Sequence, residues 1–388
     1  MTILKGTESV WSVGCRDRGR LASRHYRIRM KQLFWLTHTV ICLSAPRPAA
    51  GTLRYKSVLH KMKAVRIHEF GGPEVLQIEE VDRLSPAADQ ILVKVYASGV
   101  NPTDWGIREG GNEVLRPYLK LPMTLGWDAA GVVEKVGSEV TGFKAGDAVY
   151  GEPDFPGGGS YAEYLVSRAS QFARKPARID FTTAAAVPLA GLTAWTGMFE
   201  HGKLRSGQRI LVQGASGGVG NFAVQFAKAK GAYVIGMASG GNLEYVRQLG
   251  ADEVIDYKTQ QFEELLQDID VVLEASPLRD NRERLKAVSV LKEGGRFVTA
   301  NLDHPLNEEV IRALAAKNAT GHPFNNEARG EWLEEIAALI DAGQVKVHVA
   351  KVYPLEAVAE AHRESESWHV RGKLVLQVAQ NGSDHEGD

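Results

Sequence analysis

Two hydrophobic periods divide this chain. From Met62 to about Phe181 apolar and polar residues alternate, as in residues 90–97 (QILVKVYA), 130–136 (AGVVEKV) and 147–150. These read as strands, set off by turn signals at Gly137-Ser138 and Gly142. Helical period is nearly absent there, which predicts an all-β domain over 62–181. From Thr182 the pattern changes: apolar strands (209–212, 233–235, 253–255, 270–273, 296–299) alternate with helical stretches (219–230, 243–249, 262–266, 282–291). Strand and helix in turn predict a doubly wound parallel sheet over 182–343, so the chain is α/β. Strand character returns at 345–352 and 374–378, and residues 344–380 are expected to rejoin the first domain. A polar tail, 381–388, follows.

Charge changes the picture at one end only. The net charge is −1 over 388 residues. Residues 1–61 nevertheless carry twelve Lys and Arg against two acids (Glu8, Asp17), a balance of +10, which leaves −11 for the rest. An acidic body argues against a nucleic-acid partner. The longest apolar run, 33–43, is interrupted by Thr37, His38 and Thr39 and is shorter than the roughly 20 residues a membrane helix needs. Both cysteines, Cys15 and Cys42, precede Met62, so the body holds no disulfide framework and no thiolate metal site. Met62 opens an alternating strand at once. Residues 1–61 therefore read as a basic extension, disordered or not native, with organelle targeting or secretion as the alternatives. A cytoplasmic location is expected for the body.

The chemistry begins after the strand 209–213. Gly214-Ala215-Ser216-Gly217-Gly218-Val219-Gly220 follows it, then the helical run NFAVQFAKAK. Strand, glycine loop, helix and further βα units make the setting of a dinucleotide pyrophosphate site. Gly217 would let the backbone approach the phosphates, and Gly220 would let the helix pack on its strand. An NAD site places an acid about 20 residues past the glycines. No acid occurs between Asn221 and Leu243, and the strand from Tyr233 ends at Ala238-Ser239-Gly240-Gly241-Asn242. NADP(H) is therefore expected, with Lys258 beside Tyr257 the nearest cation by sequence order.

Several spaced motifs carry a resemblance to a known family. They are KAVRIHEFGGPEVL at 63–76, Gly99-Val100-Asn101-Pro102-Thr103-Asp104, LGWDAAGVVEKVG at 125–137, Ala190-Gly191-Leu192-Thr193-Ala194-Trp195, the glycine loop, and LGADEVIDY at 249–257. From Met62 to about Val378 the chain resembles the zinc-free quinone oxidoreductase branch of the medium-chain dehydrogenase/reductase superfamily. That resemblance implies a GroES-like β domain joined to a Rossmann domain, with the active site in the cleft between them. It implies NADPH-dependent reduction of quinones or α,β-unsaturated carbonyls, and a homodimer. By position, Asn101 would line the substrate cleft and Thr193 would contact the nicotinamide. Ser216–Val219 would hold the pyrophosphate, and Ser239 and Tyr257 the 2′-phosphate. Three departures stand out: no Lys follows Ser239, Trp105-Gly106 replaces a tyrosine found in some relatives, and Ser276-Pro277 replaces a glycine pair.

Zinc-dependent relatives carry Gly-His-Glu where this chain reads Gly126-Trp127-Asp128, and its histidines lack ligand spacing. No catalytic metal is expected. Without a Lewis acid, a good substrate must delocalise its own developing negative charge, as quinones and conjugated enones do. The protein then needs positioning and a hydrogen-bond donor at the substrate oxygen. Asn101 and Tyr118 are the candidate donors, ahead of Asp104. Trp105 and Trp127 are either core or a flat wall for a planar acceptor. The rival reading is a non-catalytic NADPH-binding regulator or interaction module.

Overall fold

The computed structural model describes residues 61–113 and 115–379. Residues 1–60 of the extension and the tail 381–388 lie outside the described residues, and Lys61 already belongs to the first strand. Strand β1 (Lys61–Ile67) pairs antiparallel with β2 (Gln77–Asp82). Strand β3 (Gln90–Val100) turns Ile91, Val93 and Val95 into one buried cluster with Val133, Val149 and Leu165. That is the alternating face read from the sequence.

The alternation gives no sign of the helix that follows, α1 (Pro102–Arg108). It forms because Pro102 opens its first turn and Asn101 and Asp104 box its N-terminus. The Asn101 N–H donates to Asp104 Oδ2 at 2.6 Å. The lobe is completed by β4 (Met123–Thr124), β5 (Ala129–Val136), β6 (Ala148–Gly151), β7 (Tyr164–Arg168) and β8 (Phe172–Arg174). Strand β3 lies between β5 and β7 partners, and β6 joins β5 to β8.

Helices α2 (Phe181–Ala184) and α3 (Pro188–Trp195) lead into β9 (Arg209–Gln213) and α4 (Gly218–Ala229). The βα alternation continues through β10 (Tyr233–Ala238), α5 (Leu243–Gln248), β11 (Glu253–Asp256), α6 (Phe262–Leu265), β12 (Ile269–Glu274) and α7 (Asn281–Ser289). It ends with β13 (Leu291–Thr299), α8 (Glu308–Ala316), β14 (Thr320–Pro323) and α9 (Gly330–Asp341). The sheet order is β11-β10-β9-β12-β13-β14, and the pairings are parallel. Strand order reverses between β9 and β12, so a crevice opens at their carboxyl ends. The helical reading of 282–291 runs too far: α7 stops at Ser289, and Leu291 already pairs with Ile269.

The chain then forms β15 (Val349–Pro354), α10 (Val358–Glu366) and β16 (Lys373–Gln377), and β16 pairs antiparallel with β3. The strand expected from residue 345 starts only at Val349. Gln225 is the reason: its amide accepts from Lys346 N–H at 2.7 Å and donates to Lys346 C=O at 3.0 Å, which takes that residue out of any ladder.

Candidate active site

A cleft of about 1040 Å³ runs along the carboxyl ends of β9, β10 and β12 to the loop before α1 and the start of β16. The glycine loop forms part of its wall through Gly214, Ser216, Gly217, Gly218 and Val219. Its glycines divide the labour. A Cβ on Gly217 would meet only Gly214 O at 3.4 Å and would stand in the cleft, whereas one on Gly220 would lie 2.1 Å from that same oxygen. Gly217 thus keeps the first turn of α4 open to a ligand, and Gly220 keeps α4 close to β9. Ala215 is buried, and its N–H donates to Met237 O at 2.9 Å, tying the loop to β10. Across the switch point, the loop after β12 is held by Asn301, whose Nδ2 donates to Ser276 O at 3.1 Å and to Glu274 Oε2 at 3.1 Å. Glu274 is itself clamped by the buried Arg284 at 2.8 Å.

At the other wall three buried polar side chains meet: Asn101, Asp128 and Lys373. Asn101 Nδ2 donates to Asp128 Oδ2 at 2.8 Å, and Asp128 Oδ1 accepts from Leu189 N–H at 2.6 Å. Lys373 Nζ donates to Asn101 Oδ1, to Asp128 Oδ2 at 3.1 Å and to Val100 O at 3.2 Å. The ammonium's three donors are therefore matched by three oxygens. Asn101 keeps one amide N–H beyond its bond to Asp128, in a side chain that lines the cleft.

Behind Asn101 lies a second buried chain. Asp104 Oδ2 accepts from Tyr161 OH at 2.8 Å, His362 Nε2 lies 3.3 Å from that hydroxyl, and Arg108 Nη1 lies 3.2 Å from His362 Nδ1. Burial pushes the Asp104 carboxyl up to about 7, against the opposing pull of Tyr161 and the Asn101 N–H. Burial, helped by the Arg108 charge, holds His362 down to about 3, so its ring is neutral. A neutral ring accepts from Arg108 and donates towards Tyr161, whose hydroxyl in turn donates to Asp104.

At the far end Ser239, Asn242, Tyr257 and Lys258 line the cleft. Asn242 Nδ2 donates to Ser239 Oγ at 3.2 Å. Arg371 reaches across from the segment before β16 and donates to Asn242 Oδ1 at 2.7 Å and Gly241 O at 3.0 Å. Asp256 is turned into its own loop, where Oδ1 accepts from Lys258 N–H at 3.0 Å.

Two expected site residues are not brought to the cleft. Tyr118 sits on the single turn Arg116–Tyr118 with 62 % of its surface exposed and is not among the residues of the cleft wall. Thr193 is buried on α3, where its hydroxyl donates back to Leu189 O at 2.7 Å, and it is not among the residues of the cleft wall. Trp127 is core, packed on Phe155 with ring centroids 5.3 Å apart. Sequence reasoning missed Lys373 altogether and read Asp128 only as a lost zinc position. The available signal was one lysine opening the apolar run 373–376 (KLVL).

A two-lobed α/β protein with a Gly-rich crevice at the strand reversal and a polar cluster facing it is a dinucleotide-dependent oxidoreductase by architecture. Residues 87–177 match the family "Alcohol dehydrogenase GroES-like domain" and residues 249–376 the family "Zinc-binding dehydrogenase". A quinone oxidoreductase of Sus scrofa is 32 % identical over 330 residues, covering 81 % of this chain and 97 % of that protein. A chloroplastic NADPH-dependent alkenal/one oxidoreductase of Arabidopsis thaliana is 37 % identical over 336 residues, covering 82 % of this chain and 80 % of that protein. The solved Escherichia coli quinone oxidoreductase complexed with NADPH superposes with a TM-score of 0.71 at 32 % identity, covering 81 % of this chain and 100 % of that one. The chain belongs to the medium-chain dehydrogenase/reductase superfamily, in its quinone oxidoreductase branch, and is an oxidoreductase.

The zinc of the matched family's name does not fit these residues. Zinc takes thiolates, neutral imidazoles or free carboxylates. The described residues hold no cysteine and no gathered group of three or more His, Cys, Asp or Glu. Asp128 is already engaged by three donors, one of them an ammonium that would face an incoming cation with like charge. A dinucleotide does fit, because the open side of Gly217 leaves room for phosphate against the first turn of α4. Among the described residues no helix is long and apolar enough to cross a membrane.

Proposed function

We propose that this oxidoreductase reduces quinones or α,β-unsaturated carbonyls with NADPH and without a metal. The observation that carries the proposal is the buried Lys373 ammonium bonded to both Asn101 and Asp128 in the wall of a cleft open to a dinucleotide. When bound, the reduced nicotinamide supplies a hydride, and the acceptor completes its two-electron reduction by taking one proton from water. The first turn of α4 would orient the phosphates, and Ser239, Tyr257 and Lys258, which line the far end of the cleft, would receive an adenosine 2′-phosphate. Asn101 directs its remaining amide N–H at the acceptor oxygen, where charge develops. Lys373 and Asp128 fix the amide so that oxygen and nitrogen cannot exchange places. A conjugated acceptor spreads that charge over its own π system, so hydrogen bonding suffices where a saturated ketone would need a Lewis acid. The relatives named above, one of quinones and one of alkenals and enones, support the substrate class.

The test is NADPH oxidation with benzoquinone and acrolein, alongside fluorescence titration of NADPH and NADH. The reading expects turnover of at least one acceptor and tighter binding of NADPH. No turnover with either, or tighter binding of NADH, would overturn it.

A further inference from the structure

Trp368 lies just past α10 with a backbone φ of 59°, in the left-handed region that glycine enters freely and a tryptophan does not. A glycine or asparagine is the usual choice at such a helix end. The side chain that occupies it is not buried for packing. The residue is 41 % exposed and forms part of the cleft wall. It is also braced. Trp105 meets it edge to face, with centroids 5.2 Å apart at 82°, and Trp105 Nε1 donates to Ser365 Oγ at 3.2 Å. From the dinucleotide lobe, the Arg279 guanidinium reaches to 5.9 Å from the ring centre. Leu278, next to Arg279, is 51 % exposed and lines the same cleft, as do Pro277 and Pro102. A disfavoured backbone thus holds a braced aromatic ring at an apolar stretch of the cleft.

We infer that Trp368 is a specificity-determining residue that stacks on planar, fused-ring acceptors, so the enzyme favours polycyclic quinones over single-ring ones. This rests on the proposed reduction of conjugated acceptors. A conjugated ring system offers the flat face that an indole pairs with, and a larger one covers more of the indole. The T-shaped contact with Trp105 fixes the plane of the indole before a substrate arrives, which limits the ordering cost of binding.

The experiment uses the full chain, its Trp368→Gly and Trp368→Phe variants, phenanthrenequinone, benzoquinone and acrolein as acceptors, and NADPH titration by fluorescence. Glycine suits the left-handed backbone, so Trp368→Gly should melt at or above the wild-type temperature. It should lose about tenfold in kcat/KM for phenanthrenequinone, the upper range of an aromatic pair, and stay within about twofold for benzoquinone. Trp368→Phe should recover most of the loss. An unchanged ratio between the two quinones overturns the inference, and so does an equal fall for both. Weaker NADPH binding with an unchanged ratio would assign the ring to the cofactor and overturn it as well. A wild type that reduces only acrolein overturns the inference while leaving the proposed function standing. A wild type that reduces none of the three overturns both.

Discussion

Lys373 shows how a residue can matter without advertising itself. It is 272 positions from Asn101 and meets it only because β16 returns to pair with β3. No local period or spacing joins the two, so the sequence singled out Asn101 as a candidate and left its partner unread. Lys373→Met leaves Asp128 buried with an uncompensated charge, and loss of such a partner costs about 3–5 kcal/mol. Chemical denaturation should register that drop. Asn101→Ala is a separate matter. It removes the donor and should lower turnover by about 10²–10³ if the amide serves as an oxyanion donor. Comparing the melting temperature with the rate of the folded fraction separates donation from loop shape, because a purely structural Asn101 would lower only the former.

Asp104 carries a pH prediction at the same scale. Its ordinary value is 3.8, and burial raises it to about 7 in the folded chain. Between those values the folded chain holds a proton that the unfolded chain has released. Its contribution to stability is therefore full below pH 3.8 and is lost as pH rises towards 7. The slope from this one group is at most about 1.4 kcal/mol per pH unit. Asp104→Asn should flatten the stability profile by that amount across the same window, measured by urea unfolding at several pH values. An unchanged profile would show that the carboxyl is ionised throughout.

Among the elements, the βα alternation was legible because each unit carries its own period and ends at its own turn. The glycine loop was legible for the same reason, since strand, loop and helix are contiguous in the chain. Helix α1 was not, because seven residues headed by Asn101-Pro102 rely on a capping box more than on a hydrophobic stripe. Nor was the start of β15, which a side chain from α4 decides. The loop offers a paired test. Gly217→Val should fold normally yet weaken NADPH binding by about tenfold or more, because its side chain stands where phosphate would lie. Gly220→Ala should instead lose about 1–3 kcal/mol of stability, because its methyl meets the Gly214 carbonyl. Calorimetry and cofactor titration on both variants check the contrast. Equal effects on binding and stability in the two would refute the division of labour.

At the scale of the whole molecule, the cleft is built from segments of both lobes, and its end at Ser239 and Asn242 depends on the same return of the chain. The sequence showed no cation at the end of β10. The fold supplies Arg371 there, bonded to Asn242 and Gly241 beside Ser239. Ser239→Asp should reverse the preference from NADPH towards NADH, since a carboxylate would then repel the 2′-phosphate. Parallel titrations of the two cofactors read this directly, and an unaltered preference would remove Ser239 from the phosphate site.

The central claim is that a conjugated acceptor and a fixed amide do what a metal does in zinc-dependent relatives. Its most direct test is the initial rate of NADPH oxidation by the full chain with benzoquinone and acrolein, before and after exhaustive chelation. The account predicts turnover that chelation leaves unchanged, and no reduction of NADP⁺ when a simple saturated alcohol is offered instead. Activity that disappears with the chelator and returns with zinc, or zinc-dependent oxidation of the saturated alcohol, would contradict it.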